Sequence, residues 1–424
     1  MLDLNWIKSN PKDVEIRLQK KGYSIDFSSV IEQDNQRKKW LLEIEQVKAE
    51  VNKLSASVPL IKKQGGNVQT IFAQVKTLNA SIQEKELLMK QTEEAILRIL
   101  HDLPNVPDDD LKEGGKENNE VLYEKNKKPE FDFPLKDHVT LAESLHLIDY
   151  QRGAKIAGAG SWIYSGLGAQ LEWALLNFFI QEHLKDGYQM MLIPHMLNVE
   201  SGFTAGQFPK FKEDVFWLQK TEPEKFLLPT AETALVNLHR HEILSEQDLP
   251  KKYFAYSPCY RYEAGSYRSE ERGMIRGYQF NKVELVQYTK PEQSDAMFDE
   301  LVSKASSLAE QLGLHFRVSK LAAGDCSHAM ARTYDIEVFL PSLNIYKEVS
   351  SVSNARDYQA RRGMVRYKDS VTQKNVFVHT LNASALATSR ILPALLEQHQ
   401  TKEGWVRIPA VLQPFLGGLT VIKP

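Results

Sequence analysis

CYRYEAGSYRSEERGMIRGYQFNKVELVQY, residues 259–288, sets arginines and glutamates between aromatic side chains, on what reads as two strands around a Gly- and charge-rich loop. Side chains alternate faces along a strand. Arg261 and Glu263 therefore share a face on the first run, and Phe280, Lys282 and Glu284 share one on the second. If the two runs pair, one face presents a guanidinium, an aromatic ring and carboxylates at close range. A planar guanidinium matches two phosphate oxygens. A purine suits an aromatic face, and a small ligand with a hydroxyl suits a carboxylate that accepts its proton. The pattern predicts a site for a nucleotide plus a small polar molecule. The competing reading is a solvated hairpin with cross-strand ion pairs, each contributing about 0–1 kcal/mol.

The rest of the chain frames this hairpin. The chain has 424 residues, enough for two or more domains. Strand-like runs such as EKFLLPT (224–230), TYDIEVFLP (333–341) and IYKEVSSVS (345–353) follow one another with few intervening helices. Helix-like runs cover 294–313 and 386–400, and a helix of about 20 residues inside 161–188 is apolar on more than one face, as expected in a core or a subunit interface. Consecutive strands joined by turns give an α+β class with a mainly antiparallel sheet flanked by helices.

The first hundred residues differ. Trp40, Ile44, Val47, Val51, Leu54 and Val58 step by fours and threes, and Ile71, Val75, Leu78, Ile82, Met89, Ile96, Ile99 and Leu103 keep the rhythm, with Lys85 and Thr92 in the remaining slots. This is a heptad seam on two segments. Pro59 and Gly65-Gly66 lie between them, where the helix is expected to stop and the chain to reverse into an antiparallel helical hairpin, a coiled coil. Residues 104–130, rich in Pro, Gly, Asn and charge at the start, read as a linker. The expected domains are a helical arm over 1–103, that linker, and a globular domain over 131–424.

Net charge is −2, so any nucleic-acid surface is a local patch. Lys38, Lys39, Lys48, Lys53, Lys62, Lys63 and Lys76 supply one on the arm, where they equally suit the exposed faces of any coiled coil. Two cysteines are too few for a disulfide framework and fit a reducing compartment. No apolar stretch has signal-peptide or membrane-spanning length, so a cytoplasmic protein is expected, with no membrane and no DNA partner.

YRYEAG (260–265), RGMIRGYQFNKVE (272–284), PTAE (229–232), TYDIEVFLP, YKEVSSVSN (346–354) and FVHTLNASALATSR (377–390) together resemble seryl-tRNA synthetase, a class II aminoacyl-tRNA synthetase, and the likeness runs from the hairpin to GWVRIPAVLQPF (404–415). The resemblance implies a class II catalytic domain in a homodimer. It implies that L-serine and ATP form seryl-adenylate, and that the seryl group passes to serine tRNA, and by family to selenocysteine tRNA, whose long variable arm the hairpin clasps. It implies catalytic roles for Arg261, Glu348 and Arg390. ATP would be met by Arg261, Tyr262, Glu263, Phe280, the run Glu348, Val349, Ser350, Ser351, and Arg390. Serine would be met by Thr230, Ala231, Glu232, Arg261, Glu284 and Ser384, and Mg2+ by Glu348 and Ser351.

Two of these expectations carry a geometric condition. Glu348 and Ser351 are three apart, so strict alternation separates them, and a bulge or bend must lie between. Thr230 and Glu232 are two apart, so a strand aims both one way. The sequence also departs from the family pattern in two places: Asn-Gly-Ser-Gly is here Asn382-Ala383-Ser384-Ala385, with Ser389 where glycine is frequent, and SYRSEERG (266–273) replaces a small-residue form. Alanine restricts close backbone approach, which raises a second reading: a synthetase paralogue with an altered acceptor or tolerance of a seryl-adenylate mimic. A third, a binding protein without activity, is opposed by the joint presence of Arg261, Glu263, Glu348 and Arg390.

Overall fold

The computed structural model describes residues 1–262 and 272–424. They form two compact units, one of Leu2–Ile16 with Ser24–Leu103, the other of Met1, Arg17–Tyr23 and Pro104–Pro424.

The first unit contains two long helices, α1 (Ser28–Lys63) and α2 (Gln69–Asp102), packed as a hairpin. Ile44, Ile71, Ile82 and Ile96 of the heptad seam are buried, and its other members are at least half-buried. Lys85, in a seam position, is paired with Glu43, and Arg37–Glu93 and Lys48–Glu86 also bridge the helices. Pro59 does not end α1, contrary to expectation. It lies in the exposed penultimate turn, where water can satisfy the one carbonyl it strands. The helix stops at the glycines instead: Gly65 has φ +75°, and the Gly66 and Gly65 N–H groups bond the carbonyls of Ile61 and Lys62, a Schellman closure.

The second unit is α+β, as its strand order predicts. Among the described residues eight strands build its main sheet: β1 (Glu120–Lys125), β2 (Gln189–Met190), β3 (Lys251–Tyr260), β4 (Gln279–Thr289), β5 (Phe316–Lys320), β6 (Arg332–Leu340), β7 (Ile345–Asn354) and β8 (His379–Ala387), in the order β1-β5-β6-β7-β8-β4-β3-β2. All neighbours are antiparallel except β2 and β3. Helices α3 (Leu167–Lys185), α4 (Ser294–Gln311) and α5 (Thr388–Gln398) pack on the sheet and share one core with it, which includes Leu175, Phe298 and Leu395 against Val283, Leu285 and Val352. A second core, around Phe226, Leu235, Val286 and Tyr288, closes the other side.

Residues 104–130 are not a free linker. Asn105 is buried and its amide donates to the carbonyls of Ala329 and Ala355. Asp108 pairs with Arg332 and Arg356, and residues 120–125 are the edge strand β1. The composition suggested solvent because these polar side chains are spent on tethering, while all six residues of β1 are exposed and so show no apolar face.

Candidate active site

The strands β3 and β4 pair in the register Cys259↔Phe280, Ser257↔Lys282 and Ala255↔Glu284. Opposed residues share a face, so Phe280, Lys282 and Glu284 line one surface, while Val283 and Leu285 enter the helix-covered core. Arg261 follows the last residue of β3 and extends the ladder by donating its N–H to the Tyr278 carbonyl. Its guanidinium lies over the Phe280 ring, 5.2 Å from the centroid, and its Nε donates to the Pro229 carbonyl. Tyr262 falls on the opposite face, edge-on to Phe216. Its side chain lines a neighbouring cavity that Phe280 also borders, and not the one bordered by Arg261 and Glu348. Glu263 lies outside the described residues.

Arg390 projects from the first turn of α5. Its Nη1 is 3.2 Å from Glu348 Oε1 and 3.1 Å from the Glu348 carbonyl. Arg261, Phe280, Lys282, Glu348, Ser384 and Arg390 thus border a single cleft. The condition on Glu348 and Ser351 is met. The β6–β7 ladder shifts register, Ile336 facing Ser350 and Glu337 facing Glu348, so that Val349 is the extra residue and points into the core. The bulge brings Ser351 Oγ within 3.1 Å of Glu348 Oε1, and within 2.7 Å of Asp335 Oδ1. Burial works to raise the Glu348 carboxyl, but the Arg390 and Arg261 charges outweigh it and hold it below its usual range. Asp335 goes the other way: burial and the Glu348 charge push it well above. Ser350 Oγ donates across to the Ser384 carbonyl, tying β7 to β8.

The second half of the site is a polar pocket in a buried setting. Thr230 and Glu232 do not sit on a strand, contrary to expectation. The strand ends at Leu227, and Pro229-Thr230 bends into a short helix, Glu232–Leu235, with buried Ala231 as its N-cap. The bend still brings both side chains to one cavity, beside Arg261 and Arg390. Lys282 is 5 % exposed and forms a close ion pair with Glu284, which is fully buried. Its Nζ also donates to Thr230 Oγ1 at 2.7 Å and Ser384 Oγ at 3.2 Å. Ser384 Oγ donates to Glu284 Oε2 at 3.3 Å, and Asn382 Nδ2 to Glu284 Oε1 at 3.1 Å. Gln359 donates to Glu232 Oε1 at 2.8 Å and accepts from Thr380. Burial and the Glu284 charge push the Glu232 carboxyl up to about 7.

A protein of Clostridium acetobutylicum named serine–tRNA ligase 2 is 55 % identical over 421 residues, covering 98 % of this chain and 99 % of that one. The chain belongs to the seryl-tRNA synthetase family. Residues 1–107 match the seryl-tRNA synthetase N-terminal domain, and residues 214–399 match the class II core domain shared by the synthetases for G, H, P, S and T. The crystal structure of seryl-tRNA synthetase from Pyrococcus horikoshii complexed with ATP superposes with a TM-score of 0.94 at 31 % identity over the whole of both chains. The cytoplasmic serine–tRNA ligase of Naegleria fowleri in complex with AMP gives 0.88 at 25 % identity, covering 99 % and 97 % of the two chains.

Where the sequence departs from the family pattern, the two alanines face away from the cleft. Ala383 and Ala385 are fully buried in the helix-side core, on the face of β8 away from Ser384, and neither has a positive φ. Their methyl groups pack where glycine would leave space. Ala383→Gly and Ala385→Gly are expected to leave serine affinity unchanged and to cost about 1 kcal/mol each in stability, read by denaturant unfolding. Ser389 is buried at the edge of the cleft. Four polar residues to which the resemblance assigns no role are bonded to the expected site residues: Lys282, Asn382, Gln359 and Asp335. Alternation alone put Lys282 on the Phe280–Glu284 face. The other three come from residues whose proximity only the fold creates.

Proposed function

We propose that the chain is a serine–tRNA ligase, which joins serine to ATP as seryl-adenylate with release of pyrophosphate, and then transfers the seryl group to the terminal ribose of serine tRNA. The observation that carries the reading is the convergence of two charge patterns on Arg261. On one side Phe280, Arg390 and Glu348 suit a nucleoside triphosphate; on the other Thr230 and Glu232, with the buried Glu284 bonded to Ser384 beneath, suit a hydroxylated amino acid.

The roles follow from chemistry. The serine ammonium needs an acceptor pair, and Thr230 and Glu232 supply it. The hydroxyl donates to Glu284, whose orientation Lys282, Asn382 and Ser384 hold. Alanine offers Glu284 no hydroxyl and leaves the carboxylate with only its bonds to Lys282, Asn382 and Ser384, so it is disfavoured against serine. The serine carboxylate then lies toward Arg261, which offsets the charge gathering on the α-phosphorus as the bond to pyrophosphate breaks. Phe280 offers its ring to adenine, and Arg390 meets the distal phosphates. In this reading the Tyr262, Val349 and Ser350 segments act through backbone and packing, and Ala231 through its place at the bend.

Magnesium fits Glu348 and Ser351. Two oxygens on adjacent positions of an octahedral ion with bonds near 2.05 Å stand about 2.9 Å apart, and these two stand 3.1 Å apart. Among the described residues no three His, Cys, Asp or Glu side chains form a metal cage, as befits an ion that keeps phosphate and water ligands. When bound, it would neutralise phosphate charge and favour the departure of pyrophosphate.

The arm of residues 1–103 is read as the tRNA-binding element, with Lys39, Lys53, Lys62, Lys63 and Lys76 exposed on it. A homodimer accounts for the exposed apolar side chains of Ile156, Trp173, Leu192 and Met196, up to 84 % accessible in this single chain. Among the described residues no helix is long and apolar enough to cross a membrane, and a cytoplasmic location is consistent with the substrates. The paralogue reading rested on Ala383 and Ala385, whose placement in the core withdraws its support.

The test is exchange of pyrophosphate into ATP with single amino acids. Serine alone should drive it. Exchange with a different amino acid supports the paralogue, and none with any opposes both. The protonation of Glu232 adds a pH signature. With its carboxyl near 7, Glu232 is mostly neutral at pH 6 and then cannot pair with an ammonium. The serine KM should rise about tenfold from pH 8 to pH 6, and Glu232→Gln should give a high KM that no longer follows pH.

A further inference from the structure

Helix α3 carries a carboxylate into the core that no step above uses. Glu172 is 3 % exposed. Its Oε1 accepts hydrogen bonds from Thr388 Oγ1 at 2.5 Å and Asn281 Nδ2 at 2.8 Å. Asn281 follows Phe280 directly and lies on the opposite face of β4, where its Oδ1 accepts from the Tyr256 hydroxyl of β3 at 3.3 Å. Thr388 opens α5, two residues before Arg390, and its hydroxyl also lies 3.2 Å from the Asn281 carbonyl. One oxygen therefore joins the strand that presents Phe280 to the helix that presents Arg390.

We propose that Glu172 is a positioning residue for ATP, setting from behind the sheet the separation of Phe280 and Arg390 without touching the nucleotide. The inference rests on the reading of those two residues as nucleotide-binding. Burial pushes Glu172 up to about 7, against the pull of the Thr388, Asn281 and Tyr164 side chains. An isolated buried acid is a liability that an apolar side chain avoids. What an apolar side chain cannot do is accept from two elements at once. Without the shared acceptor, the Asn281 amide is stranded and the Thr388 hydroxyl keeps only the longer bond to the Asn281 carbonyl, and small misplacements at a binding site are costly.

The experiment measures ATP–magnesium binding to the full-length chain by calorimetry, with serine titrated separately and melting temperatures recorded. Glu172→Ala should weaken ATP about tenfold and leave serine within about twofold. Glu172→Gln keeps an oxygen that accepts both bonds and should restore ATP affinity to within about twofold of the parent. Thr388→Val removes one bond while keeping the shape, so it should give a smaller loss, and it stands in if the alanine variant does not fold. Unchanged ATP affinity in the alanine and valine variants overturns the proposal. So does loss of both ligands in step with the melting temperature, or a glutamine variant no better than alanine. A parent chain that binds ATP but exchanges with no amino acid defeats the reaction proposed above and leaves the ATP titrations to decide this inference. A parent that does not bind ATP defeats both.

Discussion

Arg261→Ala is expected to lower serine-dependent pyrophosphate exchange by about 10³-fold or more. Removing one donor to a developing oxyanion costs about 10²–10³, and a guanidinium supplies both a charge and a fork of donors. Arg261 borders both halves of the cleft, so its loss affects ATP and serine alike. The structural cost is small, because among the described residues its side chain bonds the Pro229 carbonyl and lies on the Phe280 face. Arg261→Lys keeps the charge without the planar fork and should recover only a minor part of the rate. An alanine variant with unchanged melting temperature and a rate within about tenfold of the parent would contradict the assigned role.

Shortening the arm should separate the two steps. Residues 50–83 lie beyond the Lys48–Glu86 ion pair, so their replacement by a short glycine–serine turn leaves the base of the hairpin intact. A deletion of residues 1–103 would be a poorer choice. Lys21 belongs to the catalytic unit, buried, with its Nζ donating to the carbonyls of Ser327 and Met330 at 2.8 Å. The shortened chain loses Lys53, Lys62, Lys63 and Lys76. Exchange should stay within about twofold, while kcat/KM for charging serine tRNA falls by about 10² or more, as expected when several phosphate contacts are removed. The parent's charging should also weaken steeply with salt. Equal loss of exchange and charging would contradict the division of labour between the units.

Alternation on β3 and β4 was enough to place Phe280, Lys282 and Glu284 on one face, because a period of two is fixed by the backbone itself. The three-residue spacing of Glu348 and Ser351 demanded a bulge, and Val349 supplies it. Such local geometry is legible because it depends on neighbours in sequence. The Thr230–Glu232 bend was misread as strand, since an apolar run ending in Pro does not announce the helix that follows. The edge strand β1 was hidden by its fully exposed side chains. Asp335, Gln359 and Asn382 were missed for a different reason. They enter the site across strands or from a separate helix, and only the register decides which of many buried polar groups meet. The alanines raised a doubt that the sheet resolves, because which face of β8 they occupy depends on the pairing with β4 and β7.

The most direct measurement is a crystal structure of the chain with a non-hydrolysable seryl-adenylate analogue. Arg261 should contact the group replacing the α-phosphate, the adenine should lie on Phe280, and the seryl hydroxyl should lie within hydrogen-bond reach of Glu284. An analogue bound elsewhere, or bound here with Arg261 turned into solvent and the hydroxyl away from Glu284, would contradict the assignment of the site.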